Sequence, residues 1–292
     1  MSKEIVLAGA CRTAIGKMGG SLTGVPAAQL GAIVIKEALN RAGVKPEQVD
    51  EVFMGCVLQA AQGQNVARQA ALKAGLPIEV PAQTLNIVCG SGLKCVNTAA
   101  AMIAAGDADI IVAGGMENMS MAPYALPQAR FGYRMNNATM IDTMVNDALW
   151  DAFNNYHMGI TAENVAEKYG VTREMQARFA LESQNKMIAA MDAGKFKEEI
   201  VPVQVKQKKE TLTIDTDEHP RRGLTLEKLA RLRPAFKEGG SVTAANSSGI
   251  NDGAAAVVMM TEEKASALGC RPLMEFVGYA VAGYEDILMG YA

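Results

Sequence analysis

Among the residues able to form a covalent bond with a substrate, Cys89 has the most suggestive surroundings. It follows the apolar run Thr84-Leu85-Asn86-Ile87-Val88 and is itself followed at once by Gly90, Ser91 and Gly92. If the run is a strand and a helix starts near Ser91, the thiol lies in the strand-to-helix turn, where unpaired backbone N–H groups and the positive end of the helix dipole meet. A thiolate is favoured there: such positions lower a cysteine pKa from about 8.5 toward roughly 3.5–7.5, which makes a nucleophile at neutral pH. Gly90 and Gly92 would permit close approach of an acyl group to the backbone and tolerate the dihedrals of a sharp turn. The opposing reading is a small apolar side chain ending a buried strand, since free cysteine is among the most buried residue types. Local residues leave both readings open.

The layout has the physics of the nucleophile elbow of serine hydrolases, although the GxSxG spacing is absent. The other cysteines, Cys11, Cys56, Cys95 and Cys270, read as buried structural thiols, and Cys95 is not on the helical face of Cys89. Five scattered cysteines without a CxxC pair argue against a disulfide framework or zinc site and for a reducing, cytoplasmic setting. With only two histidines, His157 and His219, and no carboxylate cluster, an all-protein metal site is not expected. The 28 Lys plus Arg against 31 Asp plus Glu give a formal charge of -3, which offers no electrostatic reason to expect nucleic acid or an anionic membrane. No signal peptide is expected in "MSKEIVLAGACRTAIG", and no run of about 18 apolar residues suggests a membrane span.

The elements that must position Cys89 are short β-like runs alternating with helical ones. "EIVLAGA", "DEVFMGCVL", "QTLNIV" and "ADIIVAGG" read as strands. Between them lie a helix opening on Pro26, with Leu30, Ile33, Val34 and Ala38 on one face and Gly43 as its stop, a second ending at Gly75, and a third in "SGLKCVNTAAAMIAAG". Continuous apolar strands in this alternation predict a largely parallel sheet covered on both faces. From about 119 the texture changes: "MENMSMAPYALPQARFGYRMNN" reads as loop. Two helices follow, capped by Thr161 and Thr172, the second with Met175, Phe179, Met187 and Met191 along a face and Gly194 as its stop. "EIVPVQVKQKKETLTID" reads as a hairpin whose Pro202 marks an edge strand, the whole packing over the sheet rather than continuing it. Strand character resumes in "GSVTAANSSGINDGAAAVVMM", followed by a short helix with Glu262 and Glu263 in its first turn. The length of 292 residues favours a multi-lobed arrangement.

"NIVCGSGLKCVNTAAAMIAAGDADIIVAGGMENMS" resembles the nucleophile region of the thiolase family, in which an Asn-x-x-Cys-x-Ser-Gly turn presents the acyl-accepting cysteine. "RTAIGKMGG", "YHMGITAENVAEKYG", "RPAFKEGGSVTAANSSGINDGAAAVVMM" and "VAGYEDILMG" are similar to further thiolase segments in the same order, with the short-chain, biosynthetic type nearest. The resemblance implies an α/β fold with a five-stranded mixed sheet between helices. Its domains would be residues 1–118 plus 249–270, an inserted α/β loop domain at 119–248 covering the active site, and the start of a second half at 271–292. It implies acyl transfer between coenzyme A thioesters through acyl-Cys89, condensing two acetyl-CoA to acetoacetyl-CoA or running thiolysis in reverse, with the Cys89 N–H as an oxyanion donor. Coenzyme A is then substrate and product rather than cofactor, and the partners are acetyl-CoA, acetoacetyl-CoA and a second or further copies in a homodimer or homotetramer.

Position by position, His157 and Met158 match residues lining the pantetheine and acyl pocket, Ser248 the serine touching pantetheine, and Arg221 the arginine near the adenine and its phosphate. Leu149, Phe236, Ala244 and Met289 match apolar wall positions. Taken alone, Met158, Leu149 and Phe236 read as core packing, and Arg221 in "DEHPRRG" as equally well a solvated loop residue.

Three family motifs are not found in this chain: Asn-Glu-Ala-Phe, Gly-His-Pro with its base, and Cys-x-Gly-Gly-Gly with the second cysteine. His219-Pro220 is no substitute, and Ala245 stands where the family usually has Gly. Because a positioned acid/base group contributes about 10²- to 10⁴-fold, the expectation is that most of the C-terminal domain is lacking and that the chain alone is nearly inactive. Rival readings are a ketoacyl-synthase-like enzyme, which also uses a strand-end cysteine, and a noncatalytic protein on the same fold. A nucleotide-binding dehydrogenase fails because "GSGLKC" lacks GxGxxG spacing and its acidic ribose partner.

Overall fold

A computed structural model of the protein describes residues 4–207 and 210–291. The chain forms two compact units, one of Met1–Thr143, Glu198–Glu218 and Ile250–Tyr279, the other of Met144–Lys197, His219–Gly249 and Ala280–Ala292.

The first unit is built on one sheet. Its strands are β1 (Ile5–Thr13), β2 (Gly16–Lys17), β3 (Glu51–Gly55), β4 (Ala82–Leu85), β5 (Ile110–Asn118), β8 (Ile200–Val201), β11 (Asn251–Thr261) and β12 (Met274–Glu275). The order is β12-β1-β11-β5-β3-β4, so five longer strands carry the sheet while the two-residue β2, β8 and β12 pair onto β11 and β1. β3 runs parallel to β4 and β5, but β11 lies antiparallel between β1 and β5. The sheet is therefore mixed, where apolar alternation alone pointed to a largely parallel one. Strands buried on both faces read the same in either direction, so the apolar runs carried no record of the reversal.

Helices α1 (Ala27–Ala42) and α2 (Val66–Ala74) bury Leu30, Val34, Ala38, Val66 and Ala70 in a core on one face, and α7 (Glu262–Leu268) adds Ala265 to it. On the other face α3 (Ser91–Ala105) packs Cys95, Ala99, Ala100 and Ile103 against Phe53, Ile111 and Met259. Residues Val88–Ala105 have the length and apolarity of a membrane span, contrary to the expectation that no such run exists, yet the buried part of this stretch faces the sheet. Gly43, Gly75 and Gly106 end α1, α2 and α3 in the left-handed conformation that lets their N–H groups return to the last carbonyls. Two antiparallel ribbons complete the unit: β6 (Tyr124–Ala125) with β7 (Ile141–Asp142), and β9 (Val203–Gln207) with β10 (Glu210–Ile214). The second is the expected hairpin, with Lys208 and Lys209 outside the described residues. Pro202 does mark an edge, but β8 just before it joins the main sheet by pairing parallel to β1, which the reading as a covering layer missed.

The second unit is organised by α4 (Met158–Tyr169), α5 (Arg173–Asp192) and α6 (Leu226–Ala230). Thr172 caps α5 as expected, its Oγ1 accepting from the Met175 N–H. The expected apolar face of α5 is not buried: Met175 and Phe179 are exposed, and no residue of the helix is fully buried. α5 packs chiefly on the five-residue α6, which is too short to cover it. Thr161 does not cap α4. It is buried within the helix, its hydroxyl donating to the Met158 carbonyl at 2.6 Å, and the cap lies four residues earlier at His157.

Candidate active site

Cys89 is exposed, whereas the other four cysteines are buried. β4 stops at Leu85, and Asn86, Ile87 and Val88 form the turn into α3 rather than a continuation of the strand. The sharp bend falls on Val88, whose φ of +57° is rare for a β-branched residue, in contrast to the expectation that Gly90 or Gly92 would take it. Gly90 is at φ -80°, ordinary right-handed backbone. Neighbouring side chains hold the bend: Asn86 Oδ1 accepts from the Val88 N–H at 2.8 Å, and the Ser91 hydroxyl accepts from the Ile87 N–H at 2.9 Å while donating to the Val88 carbonyl at 2.6 Å. Strain of this kind persists only where the surroundings over-determine it, and it clusters at functional turns.

No side chain caps α3, and the N–H groups of Cys89, Gly92 and Leu93 make no hydrogen bond among the described residues. An exposed thiol thus sits beside free backbone donors at the positive end of a 15-residue helix, a setting that can stabilise a developing oxyanion. The glycine that matters for the placement is Gly55 at the end of β3: a Cβ there would lie 2.8 Å from the Ser91–Gly92 backbone, so only glycine lets the start of α3 rest on the strand end. The remaining thiols are poor nucleophiles. Burial pushes Cys11 up to about 12 and Cys95 up to about 11, and raises Cys56 and Cys270.

The other residues expected at the site all belong to the second unit. His157 and Phe236 come together, their rings stacked with centroids 4.6 Å apart and planes 17° from parallel. His157 Nδ1 accepts from the Gly159 N–H at 3.0 Å, which fixes the neutral ring with its proton on Nε2, and burial lowers its pKa. Gly159 makes the stack possible, because a Cβ there would run into the Phe236 ring. Met158 opens α4 and is half-buried, Leu149 ends a π-turn over Val145–Leu149 and is also half-buried, and Met289 is exposed in the closing 3-10 turn Asp286–Tyr291. Arg221 is exposed, its backbone N–H bonded to Gln184 Oε1 at 2.8 Å.

Ala244 and Ser248 are exposed on the 240–248 loop, which Glu163 of α4 organises. The Glu163 carboxylate accepts from the Ser241 and Val242 N–H groups at 2.9 and 2.8 Å and from the Ser241 hydroxyl at 2.8 Å. Burial would raise its pKa, but those three donors outweigh it and hold the carboxyl below its usual value. Ala245 has ordinary backbone, so the methyl group that replaces the family's usual hydrogen costs no strain. Two hollows along α5, about 440 and 380 Å³, are lined by none of these residues.

Residues 5–263 match the family described as thiolase, N-terminal domain. The chain belongs to the thiolase family. The thiolase is 60% identical over 288 residues to an acetyl-CoA acetyltransferase of Cupriavidus necator, a match covering 98% of this chain and 73% of that one. It is 57% identical over 289 residues to an acetyl-CoA acetyltransferase of Pseudomonas aeruginosa, covering 99% and 74%. Its fold superposes on the crystal structure of the Bacillus anthracis acetyl-CoA acetyltransferase with a TM-score of 0.97 at 43% identity, over 99% of this chain and 73% of that one.

In this thiolase the sequence identified the exposed cysteine and its helix but missed the residues that shape the turn and the loop. Val88 carries no sign of its left-handed backbone in its type, and Ser91 read as part of a small-residue motif. Glu163, mid-helix in "TAENVAEKYG", carries no sign in its type of the loop it clamps, and Gly159 gives no hint of the ring above it. A carboxylate followed far along the chain by Gly-Gly-Ser was the one available signal for the Glu163 clamp, and it has no fixed spacing to search for.

Proposed function

We propose that this thiolase transfers acetyl groups between coenzyme A thioesters through Cys89, condensing two acetyl-CoA to acetoacetyl-CoA or cleaving that product in reverse. The observation that carries the reading is the exposed Cys89 thiol beside free N–H groups at the uncapped start of α3. The relatives named acetyl-CoA acetyltransferase supply the substrate class.

In the first step the Cys89 thiolate attacks the thioester carbonyl. A carbon–sulfur bond forms, and the resulting oxyanion is stabilised by the Cys89 N–H, a donor of the kind that contributes about 10²- to 10³-fold to rate. Collapse breaks the bond to the coenzyme A sulfur, which leaves as a thiolate and takes up a proton. In the second step a base removes a proton from C2 of another acetyl-CoA, the carbanion attacks acetyl-Cys89, and Cys89 departs as a thiolate with release of acetoacetyl-CoA. In this reading His157, Met158, Leu149, Phe236, Ala244, Ser248, Met289 and Arg221 bind the coenzyme A moiety, with Arg221 at its adenosine phosphate. Coenzyme A is substrate and product, no separate cofactor takes part, and the working form is a homodimer or homotetramer.

Exchange of label between acetyl-CoA and free coenzyme A tests the proposal, because it needs only the acyl-enzyme half of the cycle. Exchange that is lost in Cys89→Ala supports it, and exchange that survives Cys89→Ala refutes it.

A further inference from the structure

The mechanism leaves the half-buried Glu117 of the sheet unused. Glu117, near the end of β5, reaches across the end of β3: Oε2 accepts from the Val57 N–H at 2.8 Å, Oε1 accepts from the Leu58 N–H at 3.1 Å, and the Cys56 Sγ lies 3.5 Å from Oε1. It has no ion-pair partner within salt-bridge distance among the described residues. Burial raises its pKa against the pull of those N–H donors, so placing a carboxyl group here is costly.

The segment it holds is the shelf under the nucleophile turn. The Cys56 N–H donates to the Leu85 carbonyl at 3.1 Å, the last backbone link of β4 before the turn. The Val57 carbonyl accepts from Asn86 Nδ2 at 3.5 Å, and the same Asn86 carboxamide braces the strained Val88 through its Oδ1. Gly55, immediately before, is the residue on which the Ser91–Gly92 backbone rests.

We infer that Glu117 is a positioning residue for Cys89, acting by clamping the Cys56–Leu58 segment whose Val57 carbonyl anchors Asn86 and, through it, the Val88 bend. The inference rests on the reading of Cys89 as nucleophile and deepens it. Its chemistry is geometric. The carboxylate supplies two acceptor oxygens to two N–H groups, which an amide cannot do, since its NH₂ would face one of them. Releasing the shelf lets the strained turn relax, and displacements of about 1 Å at a reacting group cost up to about 10²-fold in rate.

The test is the second-order rate of Cys89 alkylation by iodoacetamide across pH 6 to 10, read by peptide mass for all five cysteines, in the full chain, in Glu117→Gln and in Asn86→Ala. Thermal unfolding is recorded alongside. The expected result is that the wild type labels Cys89 first, that Glu117→Gln slows this labelling about tenfold and displaces its pH profile, and that Cys11, Cys95 and Cys270 stay unlabelled. Asn86→Ala, an exposed change that cuts the same link at its far end, reproduces the slowing. A folded Glu117→Gln with wild-type rate and profile overturns the inference. Wild-type behaviour of Asn86→Ala overturns it too, even if Glu117→Gln fails to fold. Uniform labelling in the wild type instead removes the nucleophile reading on which the inference rests, and so is distinguishable from both.

Discussion

The Ser91 hydroxyl donates to the Val88 carbonyl at 2.6 Å, so the first residue of α3 ties down the one residue of the turn whose backbone is strained, with Cys89 held between them. Because Ser91 also accepts from the Ile87 N–H, a single buried side chain fixes the turn on both sides of the bend. Conformation at Cys89 is therefore set by its neighbours and not by any contact of its own side chain.

Ser91→Ala removes both bonds while leaving the Ile87 N–H and Val88 carbonyl in place. The Val88 carbonyl keeps the Ser91 backbone N–H at 3.1 Å, so the expected outcome is a loss of about 1 kcal/mol from the Ile87 N–H left without its acceptor, together with slower acetylation of Cys89. Urea unfolding and the rate of acetyl transfer from acetyl-CoA check it; unchanged values in both would show that the turn does not depend on the hydroxyl.

Val88→Gly separates stability from reactivity. Left-handed backbone at a β-branched residue costs about 1–3 kcal/mol, and glycine relieves it while giving back about 0.5–1 kcal/mol in chain entropy. Unfolding is expected to shift toward greater stability by about 1 kcal/mol, yet Cys89 acetylation slows because the turn is no longer held to one geometry. A variant that is both more stable and equally reactive would show that the strain has no role in presenting the thiol.

Gly159→Ala places a methyl group in the Phe236 ring and must push it off His157. A loss of about 1–3 kcal/mol is expected from this overpacking. Phe236→Leu in the same background should recover part of it, as measured by thermal unfolding of the single and double variants.

Stability should fall as the pH drops below the ordinary histidine range because of His157. Burial lowers its pKa in the folded chain, so near pH 6 the folded state binds fewer protons than the unfolded one, and stability rises with pH through this range. Protonating Nδ1 also removes the acceptor that caps α4, worth about 1 kcal/mol. His157→Asn keeps a cap that does not titrate. The gap in unfolding midpoint between this variant and the wild type should widen in the variant's favour from pH 7 to pH 5; parallel pH curves would contradict the assignment.

The parts of this fold that were legible in the sequence are those written in local pattern. Pro26, Gly43 and Gly75 bound helices where their backbone preferences said they would, and α3 begins at Ser91, the first residue of the segment read as a helix. Thr161 misled because a threonine before a helical run is equally suited to capping and to burial inside the helix, and only His157, an unusual cap, decided between them. What depends on distant partners left no local trace. The reversal of β11 between β1 and β5, the rest of Gly55 under Ser91, and the reach of Glu163 to Ser241 each join residues far apart in the chain. At the site the cysteine could be found by type and spacing, while the bend at Val88 that presents it could not.

The most direct test of the account is the covalent product on the protein itself. After brief incubation with acetyl-CoA and acid quenching, peptide mass analysis of all five cysteines should find one acetyl group, carried on Cys89, with Cys11, Cys56, Cys95 and Cys270 unmodified. Acetyl groups spread over several cysteines, or none on Cys89 while another residue carries one, would contradict the claim that this turn presents the nucleophile.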